Sequence, residues 1–194
     1  MKSNICVVEK GGLGLENVLI EVEKVTDYNG MQKKEALRLR LLAEELVGML
    51  PELVKNFEGR FWLQNEGNKY ELHAELSVER LSKEDKESLI AVSANKKNAA
   101  STGFMGKIRE VAENMLLYSD APTDPDCLAG YDVVDIHYTY AWTLEYYRKN
   151  QMERLAEDSG DWDQLEKSIV AKFADDVIVG VRGKKVEIII IKEF

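Results

Sequence analysis

Cysteine is nearly absent. Cys6 and Cys127 are the only two in 194 residues, too few and too far apart for a disulfide framework or a structural zinc site, so free thiols in a reducing cytoplasm are expected. Histidine is as scarce. His73 and His137 are the only two, and His137 has no histidine or cysteine close by in sequence, so a packed or hydrogen-bonded role fits it better than metal ligation. Positive charge is in deficit, with 26 lysines and arginines against 35 aspartates and glutamates and a net charge of −9. A surface of that sign repels phosphate backbones and anionic headgroups, which argues against direct binding of nucleic acid or membrane. Long apolar runs are missing too. Val186 to Ile191 is broken by Glu187 and is far short of a bilayer span, and no charged-then-apolar leader opens the chain. A cytoplasmic protein is the expectation. No His-Glu-x-x-His, no Gly-x-Ser-x-Gly and no usefully spaced Cys/His pair occurs, which leaves metalloprotease and serine-hydrolase chemistry without a motif.

What is present is ordinary for a folded domain: 45% hydrophobic and 31% charged residues, enough apolar material for one sizeable core. Its clearest feature is the stretch Ala36 to Leu50. Leu39, Leu42, Ala43, Leu46, Met49 and Leu50 recur at three- and four-residue steps, the spacing of one wide helical face, and Pro51 predicts an end near Leu50. An earlier helix is predicted over Leu15 to Tyr28, with Asn29-Gly30 as its stop. It follows a short strand, Asn4 to Val8, and a glycine-rich break, Gly11-Gly12-Leu13-Gly14. That break lacks the Lys-Ser/Thr partner of a phosphate loop and reads as a connection.

Arg60 to Gln64 and Lys69 to Leu76 flank Glu66-Gly67-Asn68, a hairpin signature. In the second arm Tyr70, Leu72, Ala74 and Leu76 alternate with Glu71, His73 and Glu75. One face is expected under helices and the other in water, with His73 in a cross-strand ion pair between carboxylates. Beyond Ser82 the pattern predicts helices over Phe104 to Leu117 and Ile136 to Leu155, the second rich in aromatics. Between them lies a loop holding Asp120, Asp124, Asp126, Asp132 and Asp135. These lack the alternating ligands and central glycine of a calcium loop, so no metal site is assigned. A last helix, capped by Asp161 and running from Trp162 to Phe173, precedes a terminal hairpin of Val177 to Val181 and Val186 to Lys192. Ile188 and Ile190 face one way, Ile189 and Ile191 the other, as in an interior strand. The fold class this predicts is α+β, a two-layer sandwich with helices on one face of a mostly antiparallel sheet.

Two stretches carry a resemblance. Leu37 to Met49 resembles the N-box helix of the GHKL (histidine-kinase-like) ATPases, and Leu165 to Lys192 resembles their closing helix and hairpin, particularly in the small anti-sigma-factor branch. The resemblance implies a single Bergerat-like domain over 1–194, with 82–160 as an enlarged helical insertion in the lid position. It also allows the family's chemistry to be checked. The N box needs a glutamate followed four residues later by an asparagine, so that one helical turn brings a general base and a Mg²⁺ ligand together. Glu45 matches the acid, but Met49 stands where the asparagine belongs. Shifting to Glu44 places Gly48 there, and the Glu52–Asn56 pair lies beyond Pro51. The adenine-recognising Asp-x-Gly-x-Gly is replaced by Leu76-Ser-Val-Glu-Arg-Leu81, and the lid motif survives only as an echo in Gly103, Gly106 and Lys107.

The resemblance therefore implies a regulatory or protein-interaction module that has lost its ATP and Mg²⁺ motifs and needs no cofactor. Its partner would be another protein, a homodimer among the options. The alternative is a diverged ATP-binding protein, an anti-sigma-type kinase or an ATPase. There Glu45 would be the catalytic base, and Gly103, Gly106 and Lys107 would hold phosphate.

Overall fold

The computed structural model describes residues 1–9, 14–53, 57–78, 108, 140–145, 168–182 and 185–194. In chain order these form β1 (Cys6–Glu9), α1 (Leu15–Tyr28), α2 (Lys33–Leu53), β2 (Phe57–Glu66), β3 (Lys69–Val78), β4 (Tyr140–Thr143), α3 (Ile169–Phe173), β5 (Asp176–Arg182) and β6 (Lys185–Glu193). The strands make one six-stranded sheet in the order β1-β2-β3-β6-β5-β4, antiparallel at every pairing. The architecture is α+β, as the hydrophobic patterning predicts.

Each element forms where local chemistry and burial agree. In α1, Val18, Val22 and Val25 are buried at helical spacing. Its end is a Schellman motif: Gly30 N–H donates to the Asp27 carbonyl and Met31 N–H to the Thr26 carbonyl, both at 3.0 Å, with Gly30 at φ 61°. The Asn29 side chain adds a third bond, to the Val25 carbonyl at 2.7 Å. All six apolar positions read from α2 are buried, and Val47 joins them. The helix runs on to Leu53 rather than stopping at Leu50. A proline forfeits one backbone bond, and in a final turn that loss does not prevent two more residues from keeping helical geometry.

The inner sheet face meets these helices through continuous rows. Phe61, Ala74, Ile188 and Val179 lie in cross-strand register and are fully buried, as are Leu63, Leu72, Ile190 and Val177 in the next inner row. The β2–β3 hairpin closes through Gly67-Asn68, with Gly67 at φ 57°. The terminal hairpin pairs with β3 through β6, placing β6 between β3 and β5. Ile188 and Ile190 enter the core while Ile189 and Ile191 stay half-buried, the two-sided burial expected of an interior strand.

Two expectations need correction. Tyr140–Thr143 is an edge strand paired with β5, not part of a helix from Ile136 to Leu155, so the 82–160 stretch is not helical throughout. Its aromatics, Tyr140 and Trp142, alternate with the smaller Ala141 and Thr143, which suits a pleated surface, and the sheet edge outweighed an ambiguous helical period. The closing helix is also not continuous through Ser168. Ser168 has extended backbone (φ −77°, ψ 133°), and its side chain caps a new helix by accepting from Ala171 N–H at 3.3 Å, so no continuous helix runs from Trp162 to Phe173. Asp161 lies outside the described residues. So do Gly11, Gly12, Leu13, the acidic aspartate loop, His137 and most of Phe104–Leu117, of which Ile108 is helical and buried.

One local device sets the edge of the sheet. Cys6 pairs with Phe61, but Lys2 bridges to Gln64. Three residues on one side, 3–5, therefore face two on the other, 62 and 63, which is a β-bulge. It puts Lys2 on the outer face while Cys6 and Val8 enter the core. Glu21 of α1 closes the bulge by accepting from Asn4 N–H at 3.1 Å and from Lys24 Nζ at 2.6 Å. Lys24, then Asn4, hold the Glu21 carboxyl below its usual range against the opposing effect of burial.

Gly14 caps α1 at φ 99°, and a Cβ there would collide with the Val7 carbonyl oxygen. Gly30 also has positive φ but open space around it. Gly14→Ala is expected to cost more than about 2 kcal/mol and Gly30→Ala about 1 kcal/mol, the left-handed penalty alone. Urea unfolding of both variants checks the difference.

Candidate functional site

The sheet face turned away from the helices carries the densest polar cluster among the described residues. The two-residue turn at Gly67-Asn68 sets Trp62 directly opposite His73, and the rings stack with centroids 4.8 Å apart and planes at 10°. Lys2, delivered by the bulge, lies over the Trp62 ring at 4.6 Å from its centroid. His73 Nδ1 is 3.0 Å from Glu187 Oε1, and Nε2 is 3.5 Å from Glu71 Oε2. The first is a hydrogen bond. The second is too long for one, and Nε2 is buried without a partner.

His73 is thus on the face expected and in contact with two carboxylates, but the reading needs correcting in one respect. It is only 7% exposed rather than wet, because Trp62 lies flat against it. Its nearer carboxylate, Glu187, comes from β6, the cross-strand contact expected.

Glu71 is the hub of the cluster. Lys69 Nζ approaches Oε1 at 2.7 Å, and Gln64 Nε2 donates to Oε2 at 2.6 Å. Burial works against ionising Glu71, yet the bonds from Lys69 and Gln64, with smaller help from the Lys69 charge and His73, outweigh it. The carboxyl is held below its usual range. Beside this hub an open cleft of about 540 Å³ is lined by Met1, Lys2, Gln64, Asn65, Glu66, Lys69 and Glu71. Among the described residues no group of three histidine, cysteine or carboxylate side chains could hold a metal ion, and no helix is long and apolar enough to cross a membrane.

Glu45 lies elsewhere, on α2 against α3. Its Oε1 accepts from Ser168 Oγ at 2.8 Å, while Oε2 is buried without a partner. Glu45 is not among the residues lining the cleft. Met49, one turn on, is 3% exposed and part of the core. Gly103, Gly106 and Lys107 are outside the described residues. Cys6 is buried, and that burial, then the Glu21 charge, raises its thiol above the usual range, which makes it unreactive.

Comparison with protein-family models, with curated proteins and with solved structures finds no match. The site therefore has to be read from its own chemistry.

Part of the cluster was open to sequence arithmetic. A two-residue turn at 67–68 makes paired positions sum to 135, which couples Trp62 to His73. Glu187 was not, because the β3–β6 register is a long-range choice.

The Glu71 geometry has a pH consequence. A carboxyl held lower in the folded than in the unfolded chain stabilises the fold above the ordinary glutamate range. That contribution is lost as pH falls through the folded value, from about pH 5 downward. Glu71→Gln is expected to lower stability at neutral pH and to flatten the acid limb. Denaturant midpoints measured across pH 3–7, a span chosen to bracket roughly the carboxylate range, check both effects.

Proposed function

We propose that this chain is a non-catalytic regulatory or protein-interaction module, built on a GHKL-like α+β scaffold that has lost the residues for ATP and Mg²⁺. The supporting observation is the environment of Glu45 and Met49. The acid that would serve as base is tied to the Ser168 hydroxyl, which is itself the cap of α3. The position that would supply the Mg²⁺-binding amide carries a thioether packed in the core. A thioether is a soft, weak acceptor and a poor ligand for magnesium. In this reading Glu45 joins α2 to α3 and does no chemistry. The enlarged region at 82–160 would occupy the lid position, and a protein would take the place of the nucleotide as partner.

A second reading has one observation in its favour. Glu45 Oε2 is buried without a hydrogen-bond partner, and buried acceptors of that kind ask for an explanation. A diverged ATP-binding protein would supply one, with Glu45 as base and Gly103, Gly106 and Lys107 holding phosphate.

Thermal unfolding with Mg-ATP and Mg-ADP separates the two. Nucleotide at 100 times its Kd adds about 2.7 kcal/mol of stability. The interaction module is expected to show no shift at millimolar nucleotide, and a clear one would overturn that reading. Independently, Ser168→Ala removes a helix cap and the Glu45 bond together and is expected to cost about 1–3 kcal/mol, measured by denaturant unfolding without ligand.

A further inference from the structure

We infer that the outer face of the β1–β2 edge is a self-complementary surface on which a second copy of this chain docks. The inference deepens the interaction-module reading by naming the partner, and it rests on that reading.

Three observations carry it. Ile5 and Val7 flank the inward-pointing Cys6 and are 55% and 52% exposed, an aliphatic pair left in water beside the half-buried Trp62. The charges around them are open. Among the described residues Lys2, Glu9, Glu58 and Arg60 have no ion-pair partner, whereas Glu71, Glu75 and Glu187 on the same sheet face are held by Lys69, Lys185 and His73. Two of the open charges are even placed against each other, since Glu9 and Glu58 sit directly opposite in the ladder. Like charges so placed are destabilising unless a cation arrives.

Third, the charges are ordered along the strand. Lys2 marks one end of the patch, Glu9 and Glu58 mark the other, and the aliphatic pair lies between. A two-fold axis parallel to the sheet and perpendicular to β1, passing between the Arg60 and Trp62 rows, reverses the strand direction. It brings each Lys2 to the partner subunit's Glu9, Ile5 to the partner subunit's Val7, and Arg60 to the partner subunit's Trp62. That is the condition for an isologous interface: one patch complementary to itself. Docking edge to edge through the bulge is disfavoured. Ser3 N–H points to β2, so Asn4 N–H points outward, and Glu21 already occupies it.

The test is charge exchange on the full chain, followed by sedimentation equilibrium from roughly 1 to 500 µM, a range set by a micromolar dimer. The wild type is expected to dimerise within that range. Lys2→Glu and Glu9→Lys each set like charges together twice and are expected to weaken the dimer roughly tenfold. The double variant restores both contacts and recovers wild-type affinity. An equimolar mixture of the two single variants is expected to form a heterodimer that neither forms alone. Val7→Glu is expected to abolish the dimer while circular dichroism stays native.

A wild type that is monomeric throughout, single exchanges with no effect, or a double variant that fails to recover would each overturn the inference. A nucleotide-induced thermal shift would instead strike at the interaction-module reading, so the two failures are distinguishable.

Discussion

The structure depends on the pairing of β3 with β6. Nine residue pairs, from Lys69 with Glu193 to Ser77 with Lys185, join segments more than 100 positions apart. They make one sheet of what would otherwise be two separate antiparallel ribbons. β1, β2 and β3 come from the first part of the chain, β4, β5 and β6 from the last. A hairpin on its own is marginal in water, and three or more strands over an apolar layer are not. The seam provides that layer, because Leu72 meets Ile190 and Ala74 meets Ile188 at zero exposure beneath the α2 stripe. Closing so long a loop is entropically costly, and this buried contact is what offsets it.

The same seam determines the character of the opposite face. Inner rows alternate with outer rows along every strand, so fixing Leu72 opposite Ile190 places His73 beside Ile189 and within reach of Glu187. Trp62 follows from the hairpin and Lys2 from the bulge. The His73–Glu187 contact is therefore a consequence of the seam register, while the neighbouring cleft and the exposed β1 patch follow from the β2–β3 hairpin and the bulge. A slip of a single residue would turn His73 into the core and expose Leu72.

The GHKL resemblance and the packing meet at α2. Helical period and apolar spacing put Glu45 off the core stripe and Met49 on it, and the structure has both there. It also joins Glu45 to Ser168, a contact that has the form of a helix-to-helix bond. The acid is accounted for at one oxygen by a hydroxyl and at the other by nothing described, and nucleotide binding and mutation at Ser168 address different halves of that arrangement.

Sequence by itself determined the elements whose evidence is local. The α1 boundaries, the α2 stripe, the Gly67-Asn68 turn and the two-sided β6 strand each follow from side-chain period or backbone stereochemistry within a few residues. Tertiary structure decided what needs distant partners. Tyr140–Thr143 became a strand because β5 offered it an edge, and α3 begins at Ile169 behind the extended Ser168, so no helix runs unbroken from Trp162. The chain ran past Pro51, and His73 went dry against Trp62 and Glu187. The physical reason is common to all four. Short segments have nearly balanced local preferences, so the free energy of burial and of backbone pairing, available only once remote strands are in place, selects among them.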